Sequence, residues 1–433
     1  MKPVLAALLV ALLCGPLSPQ SQDGGASSDE AVRPASPQPP DDAEVDAAVA
    51  LAIERLLALQ ERYVQDPPMP RTKDADLPAW QEKERARLAK LREEDGPGVE
   101  WPYEGVYRVA VGRRAVVPPG YRVGGTAIVC EALLAAPGLE EDEARRAALL
   151  RAFEFVLATC DPENGDPLMS AGPKEGYDVR GWGHAQALQL FAPMVAAEPD
   201  EKSDAAWPGA ELRARMRALV PHLVHCIAAN EAPGGGWNYA QGAVSPFMTA
   251  TTLLALADAR DAGYAVDEEL VDRAVAALLA NRAENGAFEY SGPARRRVAW
   301  HASAARGCAA ELALLRVGRS DVEKLHGAVV AFFDGWDELD ARRAKQGTHE
   351  GPYQIAPYYF MYWAHLRGAR HRDVGRRAEG RAPRRAARAP LAHARRGRHL
   401  ERPRLPAQRE LRHRDGRAGD RGRVVDARRL YIA

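Results

Sequence analysis

One alternation constrains this chain more than any other feature: an amphipathic helix, a glycine-rich turn carrying an aromatic, then a helix of small and apolar residues. Amphipathic segments with apolar residues at helical spacing recur at about 46–63, 141–159, 209–229, 267–281 and 320–338. In one copy, Gly234-Gly235-Gly236-Trp237-Asn238-Tyr239 leads to Ser245-Pro246-Phe247-Met248-Thr249-Ala250-Thr251 and then Leu253-Leu254-Ala255-Leu256. In the next, Glu284-Asn285-Gly286-Ala287-Phe288-Glu289-Tyr290 leads to Trp300-His301-Ala302-Ser303-Ala304-Ala305 and then Leu312-Ala313-Leu314-Leu315, with Gly286 standing 50 residues after Gly236. Looser copies are Gly124-Gly125-Thr126-Ala127 with Glu131-Ala132-Leu133-Leu134, and the stretch from Asp178 to Gly183 with Ala185-Gln186-Ala187-Leu188. A fifth is Gly351-Pro352-Tyr353 followed by Tyr358-Tyr359-Phe360-Met361-Tyr362-Trp363.

The pattern has a direct physical reading. A glycine in a left-handed conformation is expected to end the first helix. The aromatic packs the turn between neighbouring pairs. The second helix, apolar all round, is expected to be buried on every side. One such pair cannot cover its own apolar face, so pairs must stack into an inner row of apolar helices covered by an outer row of amphipathic ones. The expected class is all-α.

A Gly-x-Trp or Gly-x-Phe turn between an outer and an inner helix resembles the prenyltransferase and squalene-oxidase repeat of the terpenoid-cyclase and protein-prenyltransferase superfamily. The resemblance spans about 45–366 and implies an (α/α)6 toroid, of which five pairs are recognisable here. It further implies a central cavity lined by the starts of the inner helices. That places Tyr121 and Arg122, Asp178 with Trp182 and His184, Thr249 and Thr251, Trp300 with His301 and Ser303, and Tyr353 with Tyr358 and Tyr359 as cavity candidates. Trp182, Thr249, Thr251, Trp300, Ser303, Tyr353, Tyr358 and Tyr359 are the ligand-binding candidates; such aromatic faces and sparse polar groups suit a partly apolar ligand or a cation. The competing reading of each aromatic is packing between pairs.

Catalytic residues are harder to assign. Cyclases of the family protonate an alkene, a very weak base, with an acid poised in an Asp-x-Asp-Asp motif; the repeat region has none. Its zinc enzymes use an Asp, a Cys and a His. His301 stands where that His belongs, but the Asp-x-Cys element is missing from the preceding repeat. Asp178, His184 and His301 are therefore the weak catalytic candidates, and no metal or cofactor is expected. His222, His225 and Cys226 share a helix at metal-ligand spacing, but on an outer helix, where a packed or surface pair is the simpler reading.

The two ends of the chain differ from its middle. Lys2 followed by the apolar run at 4–13 reads as a signal peptide, too short to span a bilayer, so export is expected over about residues 1–20. Cys14 lacks the small preceding residue of a lipoprotein site. Residues 21–44 read as a disordered linker rich in Pro, Ser, Gln and Asp. The formal net charge is zero, yet residues 367–433 carry about 22 Arg, no Lys and about 7 acidic residues, which leaves the rest strongly acidic. Arg without Lys is odd for a selected basic arm and natural for GC-rich DNA read out of frame. Shifting the frame of 394–415 by one base permits another Gly-x-Trp turn followed by small residues. The tail is accordingly expected to be a disordered frameshift product standing where a sixth pair belongs.

The functional expectation is an exported repeat protein that binds an unknown small molecule or protein partner in its cavity, without the usual cyclase or zinc chemistry and without a transmembrane span. A diverged cyclase- or transferase-like enzyme, and nucleic-acid binding through the tail, are the alternatives. The tail's one aromatic, Tyr431, offers little for base stacking, and no nucleic acid is expected.

Overall fold

The computed structural model describes residues 41–62, 86, 90, 98–101, 109–111, 114–172, 179–199, 206–239, 243–292, 298 and 303–335. Among them are nine α-helices: α1 Asp42–Arg62, α2 Pro119–Ala135, α3 Glu143–Thr159, α4 Arg180–Phe191, α5 Ala210–Ala229, α6 Pro246–Asp261, α7 Glu268–Ala280, α8 Ala304–Arg316 and α9 Val322–Asp334. A short antiparallel hairpin, β1 Val109–Val111 and β2 Arg114–Val116, precedes α2. Helix thus dominates, as the periodicity requires, and the hairpin is the one departure among the described residues.

The helices sort by burial into two kinds. Every residue of α4 is buried, as is almost all of α6 and of α8 before Leu315. By contrast, α3, α5 and α7 bury one face each: Leu149, Phe153 and Val156 on α3, Met216, Val220 and Leu223 on α5, Leu270, Ala274 and Leu278 on α7. The largely buried α2, α4, α6 and α8 pack side by side in chain order. Outside them, α3 packs on α2, α5 on both α4 and α6, α7 on α6, and α9 on α8, while α1 lies against α3. Each buried Leu or Phe of the inner row contributes roughly 1.5–3 kcal/mol.

Small residues set the spacing within the inner row. A Cβ on Gly120 would stand 2.2 Å from the carbonyl oxygen of Val179, and one on Gly124 would stand 2.5 Å from the Trp182 indole. The α2–α4 contact is therefore closed by glycines, with the Trp182 ring laid on the backbone of α2.

Three of the outer helices start on a capping carboxylate. Asp142, Asp267 and Asp321 are N-caps whose carboxylates accept from the backbone N–H of Arg145, Glu269 and Lys324. Their ends correct the sequence reading. Asn230 and Asn281, both at negative φ, cap α5 and α7, and the left-handed glycines Gly234, Gly235, Gly236 and Gly286 come several residues later, inside the turn. The Asn side chains make the difference: Asn230 Nδ2 donates to the Cys226 carbonyl, and Asn281 Nδ2 to that of Gly292. Glycine shapes the turn and does not stop the helix.

Candidate functional site

Three turns are tied to the inner helices by one device. The backbone N–H of Trp237 donates to Thr249 Oγ1 at 3.0 Å, that of Phe288 to Ser303 Oγ at 2.7 Å, and that of Trp101 to Thr126 Oγ1 at 2.9 Å. In two of them the indole also reaches back: Trp237 Nε1 donates to the carbonyl of Ile227 in the last turn of α5, and Trp101 Nε1 to that of Leu56 within α1. Each indole thus joins an outer helix to an inner one, and Trp237 does so from the end of α5 to the start of α6. His184 serves α4 in the same way, its Nε2 donating to the Met169 carbonyl at 2.8 Å.

This geometry assigns several candidates. Thr249, Ser303 and His184 are engaged with turn backbone, and the Thr251 hydroxyl donates to the Phe247 carbonyl one turn earlier in its own helix. Arg122 makes a two-bonded ion pair with the buried Glu100, at 2.8 and 2.7 Å, and lies 5.0 Å over the Phe155 ring. Tyr121 is buried in the core. Asp178, Trp300, His301, Tyr353, Tyr358 and Tyr359 lie outside the described residues.

Trp182 is the sequence candidate around which other aromatic rings gather. Its ring stacks on Phe247 with centroids 5.5 Å apart and planes 14° from parallel, and Tyr239 lies 6.3 Å from Trp182 and 6.2 Å from Phe247. The trio joins the starts of α4 and α6 to the turn between α5 and α6. Trp182 and Phe247 are buried and Tyr239 is half-buried.

The start of α4 is also strained. Val179, its N-cap, has φ +50°, a left-handed conformation that a β-branched residue rarely adopts, at a cost of about 1–3 kcal/mol. Its carbonyl is the atom pressed on Gly120. Next to it, buried Arg180 donates to the carbonyls of Ser170 and Gly172 at 3.1 and 3.2 Å.

Two features escaped the sequence reading. Trp101 makes the same turn lock as Trp237, and its signal was a glycine three residues before it, Gly98, matching Gly234 before Trp237. Gln186 and Gln189 are polar residues in a helix buried on all sides. They were passed over as part of an apolar run.

On the outer row, Cys226 Sγ lies 3.3 Å from His222 Nε2, while His225 is exposed. Burial pushes the Cys226 thiol up to about 11, and burial with the neighbouring Cys226 pushes Cys160 higher still. Burial, then the charge of His225, holds His222 below its ordinary value. These thiols are protonated and inert at neutral pH. Among the described residues no group of three or more His, Cys, Asp or Glu is placed to hold a metal ion. No helix among them is long and apolar enough to cross a membrane.

Comparison with family models, with curated proteins and with solved structures finds no match to this chain.

Proposed function

We propose that this chain is an exported toroid of α/α hairpins, akin to the prenyltransferase and squalene-oxidase repeat proteins, that binds a partly apolar ligand where the starts of α4 and α6 meet. The observation that carries this reading is the cluster of Trp182, Phe247 and Tyr239, built from two inner helices and one turn beside the strained start of α4. Order in the chain supports the toroid: inner helices follow one another side by side, and α5 bridges the inner helices before and after it. Binding without the family's chemistry is supported by the missing Asp-x-Asp-Asp and Asp-x-Cys motifs, and by the engagement of Thr249, Ser303 and His184 with turn backbone.

The test is saturable binding of a neutral aromatic reporter, 2-naphthol, followed by equilibrium dialysis. Tyr239→Ala, which removes a half-buried ring, and Phe247→Leu, which keeps an apolar side chain, should each weaken binding about tenfold or more, about 1.4 kcal/mol. Circular dichroism and an unchanged melting profile confirm that the variants are folded. Absence of saturable binding to the wild-type chain overturns the reading.

A further inference from the structure

Trp182, Gln186 and Gln189 stand at i, i+4 and i+7 on α4 and share one face of it. Gln186 is fully buried, and neither its Oε1 nor its Nε2 has a hydrogen-bond partner among the described residues. Gln189 Oε1 is buried in the same condition. Buried carboxamides in native proteins are satisfied by protein, water or ligand. Gln186 runs along the glycine notch of α2: its Cγ is 3.6 Å from where a Cβ on Gly124 would stand, beside the Trp182 indole.

The unspent bonding capacity has a specific chemistry. A carboxamide presents an acceptor and donors side by side, so its complement must donate and accept side by side as well. Ethers and esters only accept. A carboxylate only accepts and brings a charge whose burial must be compensated. Arg122, at the start of α2, is already paired with Glu100, and Arg180 Nη1, at the start of α4, is engaged by the carbonyls of Ser170 and Gly172. A primary amide fits, or a cyclic amide whose N–H and C=O lie on one side, joined to Gln186 by two antiparallel N–H···O bonds, with Gln189 Oε1 accepting the second N–H of a primary amide.

We propose that Gln186, assisted by Gln189, anchors an uncharged ligand that carries a primary carboxamide or a cyclic amide next to an apolar group. The proposal rests on the ligand-binding reading above and adds the chemical class to it. Trp182 and Phe247 meet the apolar part, and the glutamine face of α4 meets the amide.

Three isosteric probes separate the possibilities on the full chain by calorimetric titration: 2-naphthamide, methyl 2-naphthoate and 2-naphthoate. The amide is expected to bind at least about tenfold tighter than the ester or the acid, the difference one or two buried hydrogen bonds make. Gln186→Leu, similar in size, should bring the amide down to the level of the ester and leave the ester unchanged. If Gln186→Leu does not fold, the contrast among the three probes on the wild-type chain decides alone. Equal binding of amide and ester overturns the amide class and leaves the ligand-binding reading standing. Binding of none of the three overturns the amide class as well; with 2-naphthol also failing to bind, the site reading falls with it, and a thermally stabilised Gln186→Leu then marks Gln186 as a buried carboxamide whose desolvation nothing offsets.

Discussion

The hydroxyl groups of Thr249 and Ser303 mark the difference between residues that look functional and residues that build the site. Both open an inner helix, where the resemblance places ligand contacts. In the structure each accepts the N–H of a turn aromatic, Trp237 or Phe288. Replacing Thr249 with Val leaves a buried N–H unsatisfied, and the expected loss is about 1–3 kcal/mol of unfolding free energy, read from urea denaturation. Thr249→Ser should keep most of it. A Thr249→Val chain of wild-type stability with impaired ligand binding would return the residue to the ligand. The thiols give a second residue-scale prediction. With burial holding Cys160 and Cys226 protonated, neither should react with a disulfide reagent at pH 7.5 in the native chain, and both should react after denaturation. His222 gives a third. Its folded pKa lies below its unfolded value, so its contribution is whole above about pH 6.5 and is lost as the pH falls below that. His222→Gln should flatten the acid limb of the melting temperature between about pH 7 and pH 5, and an unchanged acid limb would show that other groups govern it.

At the scale of elements, the close fit of α2 on α4 depends on side chains that are missing. Gly124→Ala would push a Cβ to 2.5 Å from the Trp182 ring, so α4 must shift or Trp182 must leave Phe247. The expected cost is about 1–3 kcal/mol, as for other overpacked cores, with a changed near-ultraviolet tryptophan signal. A silent Gly124→Ala would mean that the two helices are not in close contact. These elements also show what the sequence discloses. Helical period and burial were legible because they are averages over many residues: all five outer segments and the four described inner ones form within a few residues of expectation. The identity of the locking partners was not, because Trp101 and Thr126 lie 25 residues apart and only the fold brings them together. Gln186 was invisible for the opposite reason. Local pattern placed it correctly in a buried helix, and a hydrogen-bond inventory, which needs coordinates, was required to show that its amide is unspent.

At the scale of the whole molecule, the ends of the helical row are chemically unlike its middle. On α9, Val322, Val330 and Phe333 are 58%, 43% and 43% exposed, alongside the face that Leu325 and Phe332 bury; on α1, Leu51 and Leu59 are 46% and 49% exposed. By contrast α3 and α5 present no large exposed apolar residue, and α7 one, Leu279. The stretches that follow α1 and α9, residues 63–85 and 336–366, lie outside the described residues, the expected fifth inner helix among them. The Arg-rich stretch 367–433, expected from the sequence to replace a sixth pair, has about 22 Arg without one Lys. A one-base shift restoring that pair predicts two outcomes. Sequencing the coding DNA from about codon 359 to the stop should reveal an inserted or missing base. The repaired chain should melt at a higher temperature than the present one, because a new pair would cover apolar surface worth about 25 cal/mol per Å². It should also bind less of a hydrophobic dye. A confirmed frame would mean that the basic segment is genuine. Equal thermal midpoints for the two chains would mean that the stripes on α1 and α9 need no sixth pair to cover them.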